Sequence, residues 1–256
     1  MQLNYLSDMN LKQVRELQEK TNIAILPIGP TEVHGPHLPF GTDVISANEM
    51  AKRAAEKLLA EGIDTLIAPS VNYCLADLAH CFEGNITLRS ETVSNLVEDI
   101  CLSLAKWNFN KIMIVCGHGE PRNIEAIAEG AKKASQEMPE LSFKVSEWLI
   151  KGMEKAAPFM KGEHPMWDLH AGEVEASLMA FARPELLDHE ELMQLEPNWA
   201  GEHLFANIAA GKSSFYEVGA PLAYLGDPRI ATKETGDKVY DVFSDIIVEE
   251  MHEMIK

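Results

Sequence analysis

Four short apolar runs punctuate the chain, at 23–29, 65–71, 111–117 and 143–149. The first and third are almost wholly aliphatic, and an unbroken run of that length reads as a strand covered on both faces, because a half-exposed strand would alternate. Between the runs, apolar residues return at helical spacing over about 44–61, 91–107 and 122–138. Strand and helix alternating in this way, with connections too long for hairpins, predict an α/β fold with a mostly parallel central sheet flanked by helices. Beyond residue 150 the rhythm loosens. Pro158, Pro165, Pro184 and Pro197 break it into short segments expected to cover a site or build an oligomer interface, and a helical stretch at about 234–255 closes the fold. With 256 residues and no repeat or low-complexity stretch, residues 1–256 read as one domain.

Composition narrows the class of function. A formal charge of −18 sets the chain against nucleic-acid backbones and anionic membranes, which would repel it. No apolar run reaches the roughly 18 residues of a membrane span, and MQLNYLSDMN lacks the basic-then-apolar order of a signal peptide, so a cytoplasmic location is expected. The cysteines at 74, 81, 101 and 116 show no CxxC spacing and read as reduced thiols.

The chemistry-bearing residues collect where strands end. Directly after the first run comes Glu32-Val33-His34-Gly35-Pro36-His37-Leu38-Pro39-Phe40-Gly41-Thr42-Asp43, in which two prolines and two glycines exclude a regular helix. Carboxylates and imidazoles on a stiff loop at the C-terminal end of a strand suit Zn²⁺, Mn²⁺ or Fe²⁺ better than Mg²⁺. The third run ends in Cys116-Gly117-His118-Gly119-Glu120, again a His and a Glu after a strand. A third segment, Trp167 to Glu175, adds His170, Glu173 and Glu175 ahead of an apolar stretch at 176–181. Cys116 itself reads as a small buried residue rather than a soft metal ligand.

These residues carry a family resemblance. LPIGPTEVHGPHLPFGTD resembles the opening motif of the creatininase (creatinine amidohydrolase) family, as do Gly117-His118-Gly119, the HAGEVEAS segment from His170 and GDPRIATKETG from Gly226, so that nearly the whole chain is covered. The resemblance implies a three-layer sandwich, a homo-oligomer, often a hexamer, and metal-dependent hydrolysis of C–N amide bonds. Residue by residue, it implies that Glu32, Asp43 and His118 hold one divalent ion, that His34, Asp43 and Glu120 hold a second, and that Asp43 bridges the two. A shared carboxylate would offset the repulsion between two such cations. Zinc, manganese and iron remain open. The chain also departs from the family pattern: CGHGEPRN stands where many relatives have NGHGGN. Glu120 favours a creatininase-like dinuclear site, and Pro121-Arg122 looks like a small local insertion.

An amide resists attack, and its amine leaves only when protonated, so both ends need help. Metal-activated hydroxide serves attack. His170 is the candidate general acid, with an unperturbed pKa near 6.5 and a family counterpart in that role. Glu175, and less readily Glu173, would orient His170 or assist proton transfer; Glu173 reads as a solvent-facing acid at a helix N-terminus. Glu120 joins His170 and Glu175 as a catalytic candidate through its place at the metals. Trp167, His37 and His80 are the substrate-contact candidates, with His37 also suited to steadying a ligand, and Trp148 reads equally as a wall or as core. The remaining histidines, at 164, 189, 203 and 252, read as surface residues.

The segment YCLADLAHCFEG from Tyr73 resembles a family substrate loop in which Cys74, Ala76 and Glu83 replace glycine, serine and proline, and this weakens a strict creatinine assignment. The expected partner is a small-molecule amide, most simply a cyclic one opened as creatinine is. The alternatives are a formamide hydrolase acting on a formamidopyrimidine nucleotide, with Arg122 near the phosphate, and a non-catalytic binding or scaffold protein that keeps the fold.

Overall fold

The two aliphatic runs sit side by side at the centre of the sheet. The computed structural model describes residues 2–256. Its sheet contains β1 (Asn4–Tyr5), β2 (Ile23–Ile28), β3 (Leu66–Ile67), β4 (Lys111–Cys116) and β5 (Ser142–Val145), in the spatial order β1-β3-β2-β4-β5 with every pairing parallel. β2 and β4 pair along their full length, from Ile23 opposite Lys111 to Ile28 opposite Cys116. Pro27 is tolerated in this central strand because its carbonyl faces the β3 side, where it accepts from Val71 N–H beyond the end of β3.

Each crossover carries a helix: α1 (Leu11–Gln18), α2 (Thr42–Ala60), α3 (Ser90–Lys106) and α4 (Pro121–Glu137). After β5 come α5 (Trp148–Ala156), α6 (Glu173–Ala182), α7 (His189–Leu192), α8 (Leu204–Ala209) and the long α9 (Lys233–Ile255). The pleat sorts the strand residues between two cores. Leu26, Ile112 and Ile114 pack under α3 and α4, whereas Ile25, Met113 and Val115 pack under α2, α5 and α9. Because both faces are covered, the central strands carry no alternation. Two smaller apolar clusters, built from residues 33–38, from 78–82 and from segments after 168, cap the end of the sheet where the strands terminate. No helix among the described residues is long and apolar enough to cross a membrane.

Several boundaries differ from the sequence reading. The run at 65–71 is a strand only at Leu66–Ile67, because Pro69 lacks an N–H and only Val71 returns to bridge Ile28. The run at 143–149 ends at Val145: the buried Glu250 carboxylate accepts from Ser146 O–H and Glu147 N–H, turning the chain into α5 at Trp148. Pro121-Arg122 forms the start of α4, with Pro121 at its first position. β1 is too short to leave a period in the sequence.

Candidate metal centre

The loop after β2 carries Glu32 and His34, the loop after β4 carries His118 and Glu120, and the first turn of α2 carries Asp43. Glycines at both strand ends let α2 descend onto the sheet. A Cβ on Gly29 would lie 2.8 Å from Val44 N, and one on Gly117 would lie 2.1 Å from the Asp43 carbonyl oxygen. Asp43 is thereby held between the two loops, and Glu32, His34, Asp43 and His118 are all buried.

Asp43 faces both imidazoles. Its Oδ1 lies 3.3 Å from His34 Nε2 and its Oδ2 lies 3.5 Å from His118 Nδ1, which is also 3.0 Å from Glu32 Oε2. His34 Nδ1 donates to the Glu32 carbonyl at 3.0 Å, which leaves Nε2 as the ring nitrogen that faces the carboxylates. Despite this crowding, both Glu32 carboxylate oxygens, His34 Nε2, Asp43 Oδ2 and His118 Nε2 are buried without a hydrogen-bond partner. Native proteins pair the large majority of such atoms, so a cluster of orphans in one place calls for an explanation. A converging set of carboxylate and imidazole orphans fits a divalent cation of the zinc or manganese kind. Titration agrees. Burial would lower both histidines, but Glu32 and Glu120 hold His118 well above its ordinary value, and Asp43 and Glu175 push His34 up to about 10. The surplus negative charge is what a bound cation would neutralise.

Glu32, Asp43 and His118 form one grouping tight enough for an ion; His34 and Asp43 form another with Glu175, and Glu32, His34 and His170 form a third. Glu120 stands at the edge, in none of these groupings. Its Oε2 is 3.6 Å from His118 Nε2 and accepts from Asp77 N–H at 2.9 Å, so it also ties down the 73–88 loop. Glu175 lies 3.6 Å from His34 Nε2 and accepts from Ala171 N–H, which steadies the loop bearing His170.

His170 is positioned from every side. It bridges Leu225, its ring stacks on Phe215 at 4.5 Å and lies 4.4 Å from the His34 ring, and its Nε2 donates to the Val33 carbonyl at 2.9 Å. The next residue, Ala171, takes a positive φ of 48°, a strained conformation for a residue with a side chain. Burial and the charge on His34 lower the His170 pKa to about 4. That lowered value contrasts with the one near 6.5 expected from an unperturbed histidine, and because Nε2 donates to Val33, Nδ1 is the ring nitrogen able to take a proton.

The structure disperses the substrate-contact candidates. His37 is buried and donates from Nε2 to the Ala171 carbonyl, so it braces the His170 loop. His80 is exposed, bonded to the Asp77 carbonyl, and Trp167 stacks on His164. None of these three lines the cavity above the cluster; Trp148 does. Glu173, read as solvent-facing, is fully buried at the start of α6, where its carboxylate accepts from Lys161 and Gly162 N–H. Cys116 is buried in the α3/α4 core and belongs to none of the possible ion groupings. Arg122 pairs with Asp77 outside the cavity.

The cavity encloses about 100 Å³. Its polar floor is Glu32, His118, Glu120, Asp168, His170 and Glu175, and its walls include Trp148, Leu149, Leu204, Phe205 and Phe215. Sequence reasoning missed Asp168, which accepts from Glu173 N–H at 2.6 Å and Val174 N–H at 3.0 Å and so caps α6. The His170 loop intervenes between acid and acceptors, which disguises the usual capping spacing. Phe215 gave no local signal, since it reaches His170 only through the fold.

Comparison with known proteins places the chain in a wider group. The family model described as creatinine amidohydrolase matches residues 7–251. The mycofactocin precursor peptide peptidase of Mycolicibacterium smegmatis is 26% identical over 91% of this chain and 86% of its own. The creatinine amidohydrolase of Pseudomonas putida is 28% identical over 68% of this chain and 70% of its own. A crystal structure of creatinine amidohydrolase superposes with a TM-score of 0.80 at 20% identity, covering 99% of this chain and 98% of that one. Creatininase structures of the same fold carry manganese or zinc. With the family model matched from residue 7 to residue 251, this chain belongs to the creatininase family.

Proposed function

We propose that this protein is a metal-dependent amidohydrolase that opens a small cyclic amide. The observation that carries the reading is the set of buried, unpartnered oxygen and nitrogen atoms on Glu32, His34, Asp43 and His118, with His170 across from them. Glu32, Asp43 and His118 would hold one divalent ion, and His34 and Asp43 a second, completed by Glu120 or Glu175. Such ions lower the pKa of water from 15.7 to roughly 7 and polarise a carbonyl oxygen. His170, neutral and held by Val33, takes the proton of the attacking water on Nδ1 and delivers it to the leaving nitrogen. One C–O bond forms, the ring C–N bond breaks, and the single opened product carries a carboxylate and an amine. Glu175 keeps the His170 loop in place through Ala171 N–H.

Deformylation of a nucleotide finds less support, because Arg122 is engaged with Asp77 and no Lys or Arg lines the cavity. A scaffold role leaves the orphaned cluster without purpose. The test is metal per chain by elemental analysis, in wild type, Glu120→Ala and Glu175→Ala, alongside hydrolysis of creatinine, other small lactams and formamidopyrimidines. Two equivalents in wild type, falling to one in either variant, with lactam hydrolysis, is the expected result. Protein that takes up no Zn²⁺, Mn²⁺ or anaerobic Fe²⁺ would overturn the reading.

A further inference from the structure

The walls of the cavity say more about the substrate than its floor does. Four carboxylic acids, Glu32, Glu120, Asp168 and Glu175, line the cavity, and no lysine or arginine does. With two divalent ions in place, Glu32, Asp43, Glu120 and Glu175 would cancel their charge in formal terms, so an anionic group on the substrate finds no uncompensated cation. Trp148, Met153, Val174 and Leu178 on one wall belong to the core under α2, α5 and α9, whereas a second wall is a satellite apolar cluster distinct from the two cores under the sheet. Leu204 and Phe215 are buried members of it, and Leu78 and Ile208 pack against them. Phe205 lines the same cavity yet is 60% exposed, which puts it at the mouth. Because Phe215 also stacks on the His170 ring, this wall begins one ring away from the reacting centre.

We infer that the cavity selects a compact amide without anionic groups, carrying a small apolar substituent next to the scissile C–N bond, and that Phe205 and Ile208 of α8 grip that substituent. This rests on the amidohydrolase reading, since that reading places the carbonyl at the floor. The volume of about 100 Å³ limits the substituent, being well below the roughly 300–1,000 Å³ of sites that enclose drug-sized ligands. An apolar group leaving water for this wall gains affinity in proportion to the area buried, whereas a carboxylate or phosphate there would lose hydration with no partner.

The experiment uses metal-loaded protein and a series of five-membered cyclic amides of the hydantoin type, bearing hydrogen, methyl, isobutyl, carboxymethyl or phosphonomethyl at the ring carbon beside the scissile carbonyl. Equilibrium binding by calorimetry and ring opening are measured separately. The methyl or isobutyl probe is expected to bind at least about tenfold more tightly than the carboxymethyl and phosphonomethyl probes. Phe205→Ala and Ile208→Ala should each shrink that preference to about threefold or less, acting on Kd and KM more than on kcat. Equal binding of apolar and anionic probes, a preference that survives both substitutions, or no binding of any probe by protein that holds its metal would overturn the inference. Selective binding of the apolar probe with no ring opening of any member would sink the amidohydrolase reading while leaving the cavity's selectivity standing.

Discussion

At the residue scale the site is defined by what hydrogen bonds leave over. The Glu32 carbonyl accepts from Nδ1 of His34 and the Val33 carbonyl accepts from Nε2 of His170, so two backbone oxygens of one loop set the tautomers of two histidines of the cluster. A carbonyl can only accept, and the opposite ring nitrogen is therefore the basic one. His170→Asn should lower kcat by about 10²–10⁴, while metal per chain stays at the wild-type value; a parallel loss of metal would instead make His170 a ligand. Asp168 offers a pH test. Burial raises its pKa from 3.8 to about 7, opposed by the two N–H groups it accepts. The folded state then holds that proton more tightly than the unfolded chain, so this contribution to stability is present at low pH and is lost as pH rises from about 4 through about 7. Denaturant midpoints at pH 5 and pH 8 should fall further in wild type than in Asp168→Asn, and parallel lines would refute the assignment.

At the element scale the decisive contact is between the start of α2 and the ends of β2 and β4. The hydrophobic pattern foretold these elements to within a few residues, because a strand covered on both faces must be apolar throughout and a helix covering it must be apolar every third or fourth residue. It could not foretell how closely they approach. Gly117 gives that distance: its missing side chain leaves room for the Asp43 carbonyl, 2.1 Å from where a Cβ would stand. Gly117→Ala should therefore force α2 away from the sheet, cost about 1–3 kcal/mol by the usual penalty of overpacking, and reduce bound metal. Urea unfolding and elemental analysis on the same preparation check both parts, and an unchanged midpoint with full metal would show that α2 yields freely. Glu173 teaches the same lesson. A Glu in the first turn of a helix ordinarily faces water, but here the 161–162 loop folds over it and its carboxylate serves two backbone N–H groups.

For the whole molecule, the acidic cluster makes folding depend on what it binds. Glu32, Asp43, Glu120 and Glu175 meet at one end of the sheet, inside a chain of formal charge −18. A ligand present at a hundredfold excess over its Kd stabilises the folded state by about 2.7 kcal/mol, and a domain of this size responds by roughly 2–4 °C per kcal/mol. Chelation should accordingly lower Tm by several degrees, and divalent metal added back should restore it; scanning calorimetry before and after chelator decides the matter, with an unmoved Tm counting against a resident ion.

Sequence alone determined the α/β architecture and pointed to Glu32, His34, Asp43, His118, Glu120, His170 and Glu175, but not to Asp168. Periodicity reports burial directly, and the Glu, His and Asp positions follow strand ends that the same periodicity marks. Tertiary structure alone decided which of those residues touch. It set Glu120 at the edge against Asp77, brought Glu175 within reach of His34, turned His37 and Trp167 away from the cavity, and supplied its apolar wall from Leu204, Phe205 and Phe215. Those last residues lie in the proline-broken region after 150, where short segments follow one another without a period. Their positions are imposed by packing against distant chain rather than by any local preference that a sequence can display.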